Sequence, residues 1–471
     1  MIPATTTLLT GNAPDVLKTL PTGSIHCSVT SSPYLGPRSY ESNPVIWGGI
    51  PTCEHDWKDV HPPGYRSCDT FPGKLQSAGT KGRESRTSKL CTRCGAWFGE
   101  LGHEPTSELF VDHLVQIYSE LRRVIRDDGS FWCNIGDSRD KDKNLIGIPW
   151  KLAEALKANG WILHSFLTWL KRNSMPDSDD SRPSSSIEYV LFLTKAPSQP
   201  RFWTHPDKAA VRIKPAPDLR WFNRTTQELL TAPPAIENWN TLTFMDGIHE
   251  RKLWRRFNQW CGNDYYYDHI AVLQKASESY LKDKRPRNVL RQCVNENSKY
   301  PDEGQYAKKQ DLVGKGNYVG FNARYVPNEL GLRFMRDSDL FFKTWQGLLQ
   351  NENGEPMALV VNPSGYKGKH LAVFPPKLIE PMIVASTSCK GVCPVCGAPW
   401  VRLDGDPASL NWMPSCICGI GKPIVPATVL DPFSGAGTTG LVCKAHNRNY
   451  IGIDLNPSYN EMATKRISEG K

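Results

Sequence analysis

Two short stretches, far apart in the chain, carry residue types and spacings that could do chemistry. In the first, Asp431-Pro432-Phe433 leads into Gly435-Ala436-Gly437-Thr438-Thr439-Gly440, a G-x-G-x-x-G turn between an apolar strand (426–430) and a helical segment, and Asp454 ends the next strand. Such a turn lets backbone approach a ligand closely, and the acid can accept from ribose hydroxyls. In the second, Thr30-Ser31-Ser32-Pro33-Tyr34 closes another strand. Proline there fixes φ and removes a donor, so the preceding carbonyls stand clear of the sheet ladder. Ser31 and a carbonyl of Ser32 or Pro33 can then accept from one amino group and draw its lone pair out of ring conjugation.

The glycine turn alone would suit a dinucleotide. Two features argue otherwise: too few residues follow Asn456 to complete a dinucleotide domain, and Asp431 would repel a pyrophosphate. A carboxylate at that strand end can instead accept from an ammonium group. S-adenosyl-L-methionine has an α-amino group, a ribose and no phosphate, so it is the expected cofactor. Asp431 is expected to take the amino group and Asp454 the ribose. The amine held by Ser31 would become nucleophilic toward a sulfonium methyl with no covalent intermediate. Tyr34 would supply a face for a flipped base.

These groups need a sheet to hold them. Strands are read at 5–12, 24–30, 130–138, 161–170, 187–195, 426–430 and 449–458. Residues 108–126 place Leu114, Ile117, Leu121 and Val124 at helical spacing, with Asp127-Asp128-Gly129 as the stop, and 147–159 reads as a second helix. Strands alternating with helices predict an α/β sheet. Three stretches break the alternation: 35–105, rich in Gly, Pro, Cys and charge; 200–365, basic and aromatic; and 386–426, which holds a cysteine cluster.

The cysteines fall into groups. Cys393-x2-Cys396 and Cys416-x-Cys418, each followed by glycine, offer four thiolates for a structural zinc. An earlier group offers five candidates for four positions: Cys53, His55, Cys68, Cys91 and Cys94. Zinc here would staple insertions that lack their own core. Cys27, Cys133 and Cys443 sit in apolar elements and read as core. No cysteine follows the proline of either strand-end motif, which disfavours 5-methylcytosine chemistry.

Composition excludes several classes. The 471 residues, 39% of them apolar, suffice for a real core and for about three domains of ~150 residues, or one large domain with insertions. No run of ~18 apolar residues is present, and the first residues lack a signal peptide's charged and apolar regions, so a cytoplasmic chain without disulfides is expected. The net charge is +9 and Trp numbers 15, for which base stacking is one use. The excess charge concentrates in 251–336. Arg251, Arg255 and Arg256 lie in RKLWRRFNQW, and Lys284, Arg285 and Arg287 in KDKRPRNVLR. Such runs neutralise phosphates, and some side chains reach base edges.

With these residues quoted, the chain resembles the amino-DNA methyltransferases of the β arrangement, in which a [S/D/N]-P-P-[Y/F] strand precedes D-P-F-x-G-x-G-T-T. Here the first is Ser31-Ser32-Pro33-Tyr34, with Ser32 in place of the first proline, and the second runs Asp431–Thr439. Gly11-Asn12 with Leu17, Leu20 and Pro21 resembles the segment before the catalytic strand, Asn12 replacing an Asp that would contact the adenine ring. Residues 370–381 resemble the helix beside the methionine end, with Phe374 and Pro375 near the cofactor. Trp169, Lys171, Met175-Pro176 and Arg182-Pro183 resemble the loop by the target base.

The resemblance implies a Rossmann-like seven-stranded methyltransferase sheet, circularly permuted, with one strand reversed. It implies zinc-stapled insertions, a target-recognition region, and Asn12, Phe374, Pro375, Asp431, Phe433, Gly435, Gly437, Thr438 and Asp454 at the cofactor. Family members with a C-x-H-x-W stretch point to His55 beside Cys53, Cys91 and Cys94. The implied division is 1–34 with 106–199 as catalytic half, 35–105 and 389–426 as zinc insertions, 200–365 as target recognition, and 366–388 with 427–471 as cofactor half. Double-stranded DNA is the implied partner, with the target base flipped and no membrane. A monomer and a homodimer both remain open. Serine at the first tetrapeptide position points to cytosine N4, with adenine N6 the alternative. An RNA methyltransferase and an inactive nucleic-acid-binding protein are the rival classes. A bacterial or phage origin is expected.

Overall fold

The structure is a computed structural model. It describes residues 2–36, 43–62, 88–171, 187–195, 265–272, 374–402, 412–414, 416 and 421–470, together with the backbone of five short strands between 221 and 333.

In chain order the first elements are β1 (Thr6–Thr10), α1 (Ala13–Thr19), β2 (Ile25–Ser31), β3 (Val45–Trp47), β4 (Trp57–Val60), β5 (Ser88–Cys91) and β6 (Trp97–Gly99). Next come α2 (Ser107–Val124), β7 (Ile125–Ile135), α3 (Ile148–Ala158), β8 (Ile162–Leu170) and β9 (Ile187–Thr194). Short strands β10 (Trp221–Asn223), β11 (Leu229–Leu230), β12 (Trp254–Arg256), β13 (Gln274–Lys275) and β14 (Leu332–Arg333) follow. The chain continues through α4 (Pro376–Ser386), β15 (Trp400–Arg402), β16 (Trp412–Pro414), β17 (Thr428–Asp431), α5 (Thr438–Ala445), β18 (Asn449–Asp454) and α6 (Pro457–Glu469).

Seven strands form the central sheet in the order β1-β18-β17-β2-β7-β9-β8. β9 runs antiparallel to both its neighbours, and every other pairing is parallel. The last two strands of the chain therefore lie between its first two. From β17 the chain moves through α5 to β18 on one side, and from β2 through α2 to β7 on the other. The order reverses between β17 and β2, and open α/β sheets bind ligands outside the strand ends at such a point.

Side chains alternate between two cores, as the two-residue strand period requires. On β7, Phe131, Cys133 and Ile135 join α2 and α3 in one core, while Trp132 joins α4 in the other. The α2 stripe is the expected one: Leu114, Ile117, Leu121 and Val124 are fully buried. Each such side chain contributes roughly 1.5–3 kcal/mol. Thr106 caps α2, its hydroxyl accepting from the Leu109 amide.

One boundary differs from expectation. Asp127-Asp128-Gly129 does not separate helix from strand, because β7 starts at Ile125, directly after Val124, and runs through all three. The pairing with β2 slips between Ile25 and Cys27, and that irregularity absorbs the polar residues. Cys27, Cys133 and Cys443 are fully buried. Trp97, Trp132 and Trp161 are also buried, which makes them packing rather than base-stacking residues.

Candidate active site

The strand ends at the switch point open into a cleft of about 1000 Å³, counting its solvent-open mouth. Ser31, Ser32, Pro33 and Tyr34 line one side. Phe433, Gly435, Thr438 and Asp454 line another, and Asn12 and Phe374 complete these walls. Two stretches about 400 residues apart in sequence thus face one space. Pro375 lies just outside it, capping the start of α4.

The glycine turn is set by packing. Gly437 takes φ 72° as the N-cap of α5, and a Cβ there would lie 2.7 Å from that of Ala463 on α6. Arg466 braces the turn from behind, donating to the Ala436 carbonyl (3.1 Å) and to Thr438 Oγ1 (2.8 Å). Asp454 accepts from the Gly435 amide on Oδ2 (2.8 Å) and the Asn456 amide on Oδ1 (2.8 Å), which locks its carboxylate beside the turn. Burial pushes its carboxyl up to about 6, against the pull of those amides.

Asp431 corrects an expectation. Its carboxylate does not line the cleft: it is 1% exposed and turned inward. Oδ1 accepts from Thr30 Oγ1 (2.6 Å) and the Phe433 amide (3.0 Å), and Oδ2 from Thr439 Oγ1 (2.7 Å). These bonds tie β17, α5 and the catalytic end of β2 together. Burial pushes this carboxyl up to about 6 as well. Asp431 thus holds the two motifs in register, and its carboxylate is not among the groups that line the cleft.

The tetrapeptide is fixed from below. The Ser32 amide donates to the Asn134 carbonyl (3.1 Å), and Ser32 Oγ shares a hydrogen bond with Tyr118 OH (2.5 Å). Ser32 therefore anchors through its hydroxyl and amide a corner that a second proline would constrain through φ. Ser31 Oγ and Tyr34 OH both accept from Asn134 Nδ2, at 3.2 and 3.0 Å. Tyr34 OH in turn donates to Glu188 Oε2 (2.6 Å), and Lys171 pairs with Glu188 Oε1 while standing 4.7 Å above the Trp169 ring. Asn134 and Glu188 belong to no motif singled out in the sequence. Their signal there is a polar residue inside an apolar strand, which is rarely buried without a partner.

The cysteine groups are only partly visible. Cys53, His55, Cys91 and Cys94 bring their ligand atoms within 4.8 Å of one another, as do Cys393, Cys396 and Cys416. Burial would raise the Cys91 thiol, yet the Cys94 amide and the His55 ring draw it down to about 6. Cys68, Cys418, Met175-Pro176 and Arg182-Pro183 lie outside the described residues, as do Arg251, Lys284, Arg285 and Arg287. Arg255 and Arg256 are described only as backbone of β12, which pairs with β10.

The lining chemistry tests the expected cofactor. The described residues of the cleft include two carboxylates, Glu100 and Asp454, and no Lys, Arg or His. Among these described residues a phosphate would find no counter-charge. A sulfonium, an ammonium and ribose hydroxyls would find acceptors beside the apolar faces of Phe374 and Phe433. The residues therefore fit S-adenosylmethionine.

An open α/β sheet with such a cleft at its switch point defines a nucleotide-type binding fold, and the glycine turn and tetrapeptide narrow it to a methyltransferase. Residues 25–465 match the N6/N4 DNA methylase family, and the chain belongs to that family of DNA amino-methyltransferases. It is 24% identical to the type II methyltransferase M.Cfr9I of Citrobacter freundii over 98% of this chain and 87% of that protein. It is 23% identical to M.SmaI of Serratia marcescens over 78% of this chain and 77% of that one. Among solved structures it resembles the PvuII DNA methyltransferase (cytosine-N4-specific) at 13% identity and a TM-score of 0.41, covering all of this chain and 96% of that one. No helix among the described residues is long and apolar enough to cross a membrane.

Proposed function

We propose that this DNA methylase modifies the exocyclic amino group of a base flipped from double-stranded DNA, with cytosine N4 as the acceptor. The observation that carries the reading is the convergence of Ser31–Tyr34 with Phe433, Gly435 and Asp454 on one cleft. S-adenosylmethionine, when bound, supplies an electrophilic methyl group. Asp454 would hold the ribose, Asn12 would lie by the adenine and Phe374 by the methionine end, as the resemblance implies.

Ser31 Oγ, oriented by Asn134, accepts one N–H of the target amine, and the Ser32 carbonyl accepts the other. The amine nitrogen is thereby presented with its lone pair free of the ring. Tyr34, its hydroxyl fixed by Asn134 and Glu188, offers its ring to the base. The proton released on transfer leaves to solvent, since a carboxylate does not stand at the first tetrapeptide position. Serine at that position is the reason for choosing cytosine over adenine.

The proposed division follows the expected boundaries, with 1–34 and 106–199 as catalytic half and 366–388 and 427–471 as cofactor half. The sheet is then a circular permutation of an order in which the cofactor half comes first. Residues 200–365 would read the DNA through Arg251, Arg255, Arg256, Lys284, Arg285 and Arg287. The two cysteine groups would bind structural zinc, Cys418 completing the second. The likeness to named type II methyltransferases of bacteria supports host modification in the cytoplasm of a bacterium or a phage-infected cell.

The test is to digest DNA from cells expressing the chain and identify the methylated nucleoside by mass. N4-methylcytosine is expected with the native chain. Ser31→Ala should lower it at least tenfold while S-adenosylmethionine binding is kept. N6-methyladenine in its place would move the acceptor to adenine, and unchanged turnover in Ser31→Ala would remove Ser31 from its role.

A further inference from the structure

The third wall of the cleft comes from the first insertion. Val45, Trp47, Gly99, Glu100 and Leu101 line it, and all lie in or directly after two strands of a four-stranded antiparallel sheet, ordered β3-β6-β5-β4. Val45 pairs with Gly99 at the cleft end, and Trp57 pairs with Cys91 at the other. One end of this small sheet thus faces the donor space, and the other carries Cys53, His55, Cys91 and Cys94. The Cys91–Cys94 turn leads straight into β6 and on to Glu100.

The sheet is rigidly joined to the catalytic corner. Trp47 stacks on His113 of α2 (4.8 Å between rings), and His113 Nδ1 bonds Glu104 Oε1 (2.9 Å). The Gly36 amide donates to the Gly102 carbonyl (2.9 Å). Gly102 sits at φ 100°, so close to the tetrapeptide that a Cβ would lie 2.5 Å from the Tyr34 carbonyl oxygen. Trp47 Nε1 is buried with no partner among the described residues, a polar atom left unsatisfied in this wall.

Asp431 is turned inward, so the described acids lining the cleft are Asp454 and Glu100. Asp454 lies at the end of β18 beside the glycine turn. Glu100 comes from the insertion and stands 3.6 Å from His103 Nδ1. A cationic donor needs an acceptor for its ammonium group. With Asp431 turned inward and Asp454 beside the glycine turn, Glu100, which keeps its His103 partner, is the other carboxylate among the described lining residues.

We infer that the insertion is a working wall of the methyl-donor cleft: a metal ion held by Cys53, His55, Cys91 and Cys94 fixes the small sheet, and the sheet presents Glu100 to the donor's ammonium group. Donor affinity then depends on metal loading at a site that takes no part in the chemistry. The inference rests on the donor and zinc readings above.

The test is calorimetric binding of S-adenosylhomocysteine, which keeps the amino-acid end, with metal content measured on the same samples. Native protein should bind it and carry zinc, and failure of native protein to bind would sink the donor reading itself. Given native binding, Glu100→Gln should lose at least tenfold in affinity at unchanged metal content. Cys94→Ser should lose zinc and at least tenfold in affinity, with the far-ultraviolet circular dichroism of the main sheet kept. Affinity within twofold of native in Glu100→Gln, or in a metal-depleted Cys94→Ser, overturns the inference. Should Cys94→Ser fail to fold, Glu100→Gln decides, since it leaves every metal ligand in place.

Discussion

The two cysteine groups look alike in sequence and sit at opposite ends of the sheet. The first stands behind the small sheet that walls the cleft at the carboxyl ends of the strands. The second packs at the amino ends. There Arg126 Nη1 donates to the Cys396 carbonyl (2.5 Å) while its Nε pairs with Asp128 (2.7 Å). His26 bridges the Gly397 carbonyl (3.0 Å) and the Thr428 amide (3.0 Å), joining that turn to β2 and β17. The two groups thus stand at two ends: the first adjoins the small sheet that lines the cleft, and the second is tied by hydrogen bonds to the amino ends of the central strands.

The largest expected effect separates the two directly. Cys393→Ser with Cys396→Ser should lower the melting temperature by several degrees yet leave S-adenosylhomocysteine affinity within twofold, the reverse of Cys94→Ser. A tenfold loss of affinity from the second group would break the comparison.

The two ends also differ in their response to pH. Burial raises Asp454 to about 6, and a cationic donor prefers its ionised form, so affinity should fall about tenfold between pH 7 and 5. Without donor, the native state holds protons on Asp431 and Asp454 more tightly than an unfolded chain at 3.8. Their contribution to stability is present below that value and is lost as pH rises through about 6. His26 is the opposite case. Burial lowers it to about 4 from 6.5, so its contribution is present above 6.5 and is lost as pH falls toward 4. Denaturant titrations of His26→Gln across pH 4–7 should show a flatter acid limb than native protein.

Arg126→Ala should cost roughly 1–3 kcal/mol, because it leaves the Cys396 carbonyl and Asp128 without their donor, and should not change donor binding. The smallest effect belongs to Val395, more than half exposed at the tip of the second knuckle. Val395→Ser should stay within about 0.5 kcal/mol of native stability and leave binding unaltered.

Much of the fold and of the cleft is legible in the chain itself. The α2 stripe, the seven strands and the glycine turn follow from period and turn chemistry, which are local properties. The first metal group is less legible: the residues offer Cys53, His55, Cys68, Cys91 and Cys94 for four positions, and the resemblance points to His55. The fold brings Cys53, His55, Cys91 and Cys94 together. Asp127-Asp128-Gly129 reads as a stop yet lies within β7, because a bulged pairing with β2 overrides the local signal. Asn134 and Glu188 stay hidden at that level because their roles depend on partners more than 50 residues away.

The sequence by itself determined which motifs the protein carries, which residues alternate into the sheet and that a methyl donor with no phosphate suits the glycine turn. Only the tertiary structure decided which carboxylates line the cleft. Asp431 reads as a ligand group in sequence, but Thr30, Thr439 and the Phe433 amide converge on it and claim both its oxygens. Glu100 carries no motif, yet the small sheet brings it to the cleft. A side chain's type is written in the sequence, but its direction is set by hydrogen bonds and packing across long stretches of chain.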